Sequence, residues 1–557
     1  MKKVYRWRLA GLALVWSVAS FSVFTAASRL DDDQMIVHVL NRIGFGPRPG
    51  DVTKVRALGI QRYIEGQLHP EQVPDPGMNA HLEGLTTLGM SAQQIAERFE
   101  IPELQARRAR RQQSADGPDA SRPQATPEMR QGNQLIVELS QQKLLRAIYS
   151  ERQLQEVLTD FWFNHFNVDA RKGRDRFMLT AYERDVIRPH VLGKFRDLLE
   201  ATAKSPAMLF YLDNWLSADP NGPHGDGLNV SRPRFGPGPF VGRPVFPRAQ
   251  RPGDSARNLN DPNGGRGVGI KQGLNENYAR ELMELHTLGA DGGFTQTDVT
   301  EVSRSFTGWT LSNPRLGGGY RFEPRIHDDG EKLVLGHHIK AGGGESDGEQ
   351  VLEILSRHPS TARFVTTKLV RRFVSDTPPP ALVDRAAARF RETDGDLREV
   401  MRTILTSPEF FAREAQRAKV KTPFEFVVSA IRATAADVRD ATPLVRVMQQ
   451  LGMPLYASQP PTGYPDTADA WVNAGAIVNR MNFALSLASD EIRGVAIDRA
   501  GLIGNESSPK LDRVVTHLVE AILSNEVTET TRTAIARAES VPQMAALALG
   551  SPEFQRR

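Results

Sequence analysis

Apolar side chains return every three or four positions along most of this chain, the spacing that lines one face of a helix. Residues 31–68, "DDDQMIVHVLNRIGFGPRPGDVTKVRALGIQRYIEGQL", show it twice, and the "GFGPRPG" between reads as a turn joining two short helices. In "VLTDFWFNHFNVDARKG", Leu158, Phe161 and His165 share one stripe with Trp162 and Phe166 beside it, so this helix is apolar nearly all round. Two stretches break the pattern. Ala106 to Gln131 has almost no large apolar residue, and Ser217 to Gly273 is crowded with Gly, Pro, Asn and Arg; neither buries enough apolar surface to offset chain entropy, and both are expected as disordered or looped-out segments.

Helix starts are legible where an N-cap hydroxyl precedes proline: "SPAMLF" at Ser205, "SPEFF" at Ser407, "TPFE" at Thr422 and "SPEFQ" at Ser551. Thr422 with Glu425 forms a capping box, and Thr295 with Asp298 reads as the cap of "DVTEVSRSFTGW". The twofold "SPEF", each after an apolar helical run, hints at a repeated helical hairpin, although Ser-Pro serving simply as a good helix start is the favoured reading. Period-two alternation occurs convincingly once, in "YRFEPRIHDDGEKLVLG", where Asp329-Gly330 is expected to supply a two-residue hairpin turn.

The fold expected is mainly α: a multi-helix globular protein with one small β-hairpin element at about 320–336 and two long disordered or loop insertions. By segment this gives a leader at 1–27, an N-terminal helical segment at 28–105, a linker at 106–131, a helical block at 132–216, the Gly/Pro/Arg-rich insertion at 217–273 and a second helical block at 274–557.

Composition changes this picture in two ways. The chain has 557 residues with a net charge of only +4 and no dense basic face interleaved with aromatics, so no nucleic-acid partner is expected. It has no cysteine, which excludes disulfides, thiolate metal sites, c-type haem attachment and cysteine nucleophiles together. The N-terminus, "MKKVYRWR" then "LAGLALVWSVASFSVF" then "TAAS", has the basic head, apolar middle and small residues of a secretory signal, with a cut expected after Ala27. Export to the periplasm or cell surface follows, with a single-span anchor as the outcome if the segment stays uncleaved.

Candidate chemistry is sparse. In "NENYARELMELHTLGADGGFTQTDV", Asn277, Glu281 and Glu284 fall on one side of a helix, while His286 turns to the apolar side and Gly289 stands where a left-handed cap is wanted. The glutamates and His286 therefore cannot close on one ion. Arg280 is placed to pair with Glu284. The turn after this helix fails as a calcium loop, since Gly293 and Gln296 occupy positions where oxygen donors and glycine are required. His165 is either a hydrogen-bonded core anchor or a tuned base. A two-residue turn would set Asp328 against Glu331 and His327 against Lys332, making "HDDGEK" the best local candidate for a functional tip. His337 and His338 point to opposite faces. Tyr464, Trp471 and Arg480 surround a Pro/Gly loop and could form a sugar-binding shelf, although sealing that loop is the commoner use. No HExxH, GxSxG, phosphate-loop or dinucleotide motif is present, so no cofactor is indicated.

Taken together, "RIGFGPRPGD", "FWFNHFNV", "NENYARELMELHTLGADGGFTQTDV" running into "SFTGWT", "HDDGEKLVLG", "HPSTARFVTTKLVRRFV", "SPEF", "KVKTPFEFVVSAIRA" and "PPTGYPDTADAW" resemble, in order and over nearly the whole mature chain, the bacterial family catalogued as domain of unknown function 1800. The resemblance implies an exported, mainly helical protein and, as a partner, an exported protein of the family numbered 1501; it carries no assigned reaction. Three functions remain open. The leading one is an envelope protein that binds or helps process an envelope or extracellular polymer, with a carbohydrate as ligand. The others are a His/carboxylate hydrolase, metal-assisted or not, using His165, His286, His327 and Asp328, and a purely structural envelope protein.

Envelope-purified protein is expected to have lost about 27 residues, the length of a short secretory leader. Intact-mass measurement checks this, and a full-length mass confined to the soluble cytoplasm would contradict it.

Overall fold

The computed structural model describes residues 32–114, 127–222, 273–312, 318–503 and 511–557. The leader and most of the 217–273 insertion lie outside them. Helices dominate, as the apolar spacing requires, and no described helix is long and apolar enough to cross a membrane.

The first two helices, Asp32–Ile43 and Asp51–Leu58, flank the expected turn, in which Gly46 (φ 92°) and Gly50 (φ 89°) adopt left-handed backbone. The capping boxes at Thr295 and Thr422 form with both reciprocal hydrogen bonds, and Ser205 and Ser551 stand at helix N-caps. Ser407 is different: it opens a turn rather than a helix, with its hydroxyl accepting from the Phe410 N–H at 3.2 Å.

The stretch 106–131 also departs from expectation in both of its described parts. One helix, Ile101–Ser114, runs into it, and another, Pro127–Tyr149, begins within it; residues 115–126 lie outside the described residues. Alanine, arginine and glutamine are strong helix formers even without an apolar stripe. Buried acids then anchor the first helix. Glu103 pairs with Arg107 at 2.8 Å and with Arg176, and Glu100 in the preceding turn pairs with Arg174.

The largest core extends from Val39 to Phe554 and gathers most of the helical segments around shared side chains, Trp162, Phe166, Phe195, Trp309 and Phe373 among them. Two small clusters lie beside it, one of Ile36, Leu40 and Val55 and one of Ile95, Phe99, Leu135 and Phe177. The last residues belong to it. Val420 and Arg556 form an antiparallel bridge, flanked by Lys421 N–H to Gln555 C=O at 2.9 Å and Arg557 N–H to Lys419 C=O at 2.8 Å.

Three two-stranded antiparallel pairs complete the described fold: β1 (Trp309–Leu311) with β2 (Tyr320–Phe322), β3 (Lys332–Val334) with β4 (His337–Ile339), and β5 (Asp437–Val438) with β6 (Val495–Ala496). The expected hairpin turn at Asp329-Gly330 does not form. Pro324 opens a 3₁₀ turn, Pro324–Ile326, that ends β2, and the tight turn moves to Leu335 (φ 48°) and Gly336 (φ 81°), whose positive φ values suit a two-residue hairpin. The carboxylate pairing of Asp328 with Glu331 is lost with it. Asp328 accepts from Arg304 at 2.8 and 3.0 Å, while Glu331 meets the exposed His338 at 2.9 Å.

Behind β3 the Lys332 ammonium is enclosed. It donates to Asp347 at 2.6 Å, to Gly330 C=O at 2.9 Å and to Asp328 C=O, and Asp347 is also 3.2 Å from His327 Nε2. Both side chains of the Lys332–Asp347 pair are fully buried. Removing one partner of such a pair strands the other charge, so Lys332→Met should lose about 3–5 kcal/mol of stability, most of it recovered in Lys332→Met/Asp347→Leu. Urea denaturation of the two variants checks this, and a single variant as stable as the parent would show the pair to be idle.

Candidate functional site

The helix Gln153–His165 organises the site. Leu154, Val157, Leu158, Phe161, Trp162, Phe163 and His165 are all buried, so polar atoms at its C-terminal end must find partners inside the protein. Trp162 donates its indole N–H to Val191 C=O at 3.2 Å. His165 Nε2 lies 3.1 Å from His286 C=O, and its Nδ1 lies 3.0 Å from the Lys368 amine. A carbonyl can only accept, which places the imidazole proton on Nε2 and leaves Nδ1 as a lone pair facing Lys368. Phe161, Trp162, Phe166 and Phe364 surround the ring, with centroids 4.5–6.4 Å away.

His286 reaches this cluster because its helix changes pitch. Glu276–Glu281 is α-helical, but Leu282–Thr287 continues as a π-turn in which Leu288 N–H bonds to Met283 C=O at 2.7 Å and the Thr287 hydroxyl donates to Leu282 C=O at 2.8 Å. Gly289 (φ 84°) closes the turn as expected, and any Cβ there would meet Phe364 at 2.8 Å. Burial is the main cause holding both imidazoles neutral, with Lys368 adding to it: His286 is lowered to about 3 and His165 lies well below the ordinary histidine value. Lys368 itself is lowered by burial, an effect Asp466 opposes and Arg371 reinforces.

Asp466 lines an open cleft, with an enclosed volume of about 50 Å³, beside the C-terminal half of the Gln153–His165 helix. Its wall includes Phe161, Phe163, Asn164 and Asn167 from the helix region, Tyr456 and Tyr464, and a set of paired charges. Lys143 is 2.6 Å from Asp160 and lies 5.1–5.6 Å from the ring centroids of Phe163, Phe424 and Tyr456. Glu425 is shared by Arg372, Arg557 (2.8 Å) and the Thr422 N–H (2.8 Å). Lys419 pairs with Asp376 and donates to Asp466 C=O at 2.8 Å.

Helix-side amides hold the loop that closes the cleft. Asn164 donates to Tyr464 C=O at 2.8 Å and accepts from Tyr464 N–H at 2.7 Å; Asn167 donates to Ser458 C=O and Pro460 C=O, both at 3.0 Å. The fit leaves no room for a side chain at Gly463 (φ 75°), where a Cβ would lie 2.4 Å from Asn164.

Of the residues singled out in the sequence, His165 and His286 meet here. His327 and Asp328 do not join them: His327 is engaged by Thr307 and Asp347, and Asp328 by Arg304. Asn277 is exposed, and Glu281 and Glu284 are half-buried on the solvent side of their helix. Glu281 is raised by burial and by Glu284, while Arg280 turns to Gln296 instead of Glu284. Tyr464 is in the cleft wall. Trp471 is buried against the loop, its N–H on Pro465 C=O at 3.0 Å, and Arg480 lies apart from both, bound to Gln555 (2.5 Å) and Lys421 C=O (2.7 Å). Trp471 therefore seals the loop. No group of three or more His, Asp or Glu among the described residues is placed to hold a metal ion. Sequence reasoning missed Lys368, the Lys143–Asp160 pair and Asp466, none of which has a local signal; Tyr464 and the capping role of Glu425 were the hints at this wall.

This is a mainly helical protein with one dominant core and a charge-paired cleft where several of its most distinctive segments converge. It belongs to the family described as "Protein of unknown function (DUF1800)", whose pattern matches residues 38–556. No curated protein and no solved structure matches the chain.

The buried histidines imply a definite acid response. A histidine held neutral below its unfolded pKa of about 6.5 contributes stability that is complete above that pH and is lost as pH falls toward the folded value, about 3 for His286. From pH 7 to 5.5 each such histidine should remove about 1 kcal/mol. His286→Ala should lose roughly 1–3 kcal/mol at neutral pH and flatten this decline, whereas Glu281→Gln should stay within about half a kcal/mol. Urea denaturation at both pH values decides it; a harmless His286→Ala beside a damaging Glu281→Gln would reverse the roles assigned to the two faces.

Proposed function

We propose that this is an exported envelope protein whose cleft binds an uncharged, hydroxyl-rich segment of an envelope or extracellular polymer of the polysaccharide type. The carrying observation is that the cleft combines aromatic walls with charges already closed on one another, Lys143 on Asp160 and Glu425 on Arg372 and Arg557. Such pairs offer directed hydrogen bonds with little net field, whereas a polyanion or polycation would gain only by breaking them, which leaves a half-buried charge unpaired. Tyr464, half-buried, supplies apolar surface of the kind that packs against the C–H faces of sugar rings, and Phe161, Phe163 and Tyr456 form the buried wall beneath it. The N-terminal basic-apolar-small pattern supports the exported setting.

A hydrolase built on His165, His286, His327 and Asp328 has less support, because these groups lie in two separate clusters and the one free imidazole lone pair of His165 faces Lys368. A purely structural role accounts for the histidines as core anchors but leaves the cleft without a purpose.

Affinity electrophoresis of the full chain through gels carrying a neutral glucan or an anionic polysaccharide tests this. Retardation by the neutral polymer should survive about 0.5 M salt, where the screening length is only a few ångströms. Asp466→Asn and Tyr464→Ala should weaken it about tenfold with the fold retained by circular dichroism. Binding confined to the anionic polymer and abolished by salt would overturn the proposal.

A further inference from the structure

A second pocket lies between the first helix, the Pro423–Ala433 helix and the C-terminal segment, lined by Asn41, Arg417, Lys421, Ser429, Glu553 and Arg556 among others. Lys421 is its unusual member. The residue is only 4% exposed, yet no carboxylate or carbonyl accepts a hydrogen bond from its amine among the described residues; the nearest partner is the Phe554 ring, 3.7 Å from Nζ to centroid. The two other lysines as little exposed, Lys332 and Lys419, each sit on an aspartate, and the enclosed Lys368 meets His165 Nδ1. Backbone bonds on both sides fix the position, Lys421 N–H to Gln555 C=O at 2.9 Å and Arg480 to Lys421 C=O at 2.7 Å.

The charges around the amine argue against keeping it as a cation. Burial is the largest cause disfavouring the ammonium. With Arg417 from the preceding loop, itself paired with Glu526 at 3.0 Å, and Arg480 from the Ala474–Ala488 helix, it brings the group down to about 7 against the opposing pull of Glu425 on the Pro423–Ala433 helix. Glu553, in the same pocket wall, is occupied by Thr528 and Thr531 at 2.8–3.0 Å, and Arg556 adds a further positive charge. A lone pair on a fixed amine flanked by Arg417 and Arg480 suits an electrophile that becomes an anion on reaction. Space selects the electrophile: the room beside the amine accommodates roughly one water-sized molecule, too little for a sugar or an oxo acid.

We propose that Lys421 takes up carbon dioxide as a carbamate, with Arg417 and Arg480 providing the positive field for the new anion. The Nζ lone pair forms the N–C bond, one C=O π pair moves onto oxygen, and one N–H proton leaves to solvent, so that amine and CO₂ become N-carboxylate and a proton without any oxidant or co-reactant. The product exchanges a charge the site repels for one it attracts.

The test equilibrates the full chain with ¹³C-bicarbonate, traps carbamates with triethyloxonium ion and maps the ethoxycarbonyl group by peptide fragmentation. The exposed Lys54 serves as internal control. At about pH 8 the occupancy at Lys421 should exceed that at Lys54 by about tenfold, and it should drop severalfold by about pH 6 as the amine protonates. The ¹³C carbamate resonance should be absent from folded Lys421→Met. Occupancy at Lys421 no greater than at Lys54, or a resonance that persists unchanged in Lys421→Met, would overturn the proposal.

Discussion

A helix buried on nearly every side has to satisfy each polar atom it carries within the protein, and the site follows from that constraint on Gln153–His165. Its last turn presents Asn164, His165 and, just beyond, Asn167. Each takes a distant partner: Asn164 the backbone of Tyr464, Asn167 the carbonyls of Ser458 and Pro460, and His165 both Lys368 and the carbonyl of His286. One requirement thereby positions the closing loop, the lysine and the π-turn. An apolar helix without these three residues would pack as well but would organise nothing around its end.

The same logic governs the charges. With no cysteine to form crosslinks, ties between separate elements come from buried or half-buried ion pairs such as Lys143–Asp160, Arg372–Glu425 and Lys332–Asp347. Each is costly to desolvate and informative once formed, because only one geometry satisfies both partners. The cleft wall is made from such pairs, so its polarity is directional without being strongly charged. Lys421 breaks this rule, and its isolation is what makes it chemically distinctive.

Misplaced expectations share a physical origin. The hairpin turn was assigned to Asp329-Gly330 on turn chemistry, but Arg304, from a helix 24 residues earlier in the chain than Asp328, draws that carboxylate away and Leu335-Gly336 turns instead. The polar 106–131 stretch read as solvated because no apolar stripe marks it, yet Glu100 and Glu103 bind arginines 73–74 residues away and hold the preceding helix in place. The facing of His286 toward the core was correct although its helix is not regular: the π-turn alters the pitch while leaving the buried side buried.

What the sequence by itself determined is whatever depends on neighbours a few residues apart. Helical content, the capping boxes at Thr295 and Thr422, the glycine stops at Gly46, Gly50 and Gly289, and the all-round burial of the Gln153–His165 helix were readable because spacing and side-chain type set them locally. The candidate site was only half readable: His165, His286 and Tyr464 stood out, but their partners did not. Tertiary structure alone decided that His165 meets Lys368, that Asp160 meets Lys143, that His327 turns to Asp347 rather than to the cleft, and that the amine of Lys421 meets no carboxylate. Lysines and acids carry no periodicity that reveals a partner on another element. Their pairing is chosen when the apolar faces close and each enclosed charge must take the partner that the packing leaves within reach.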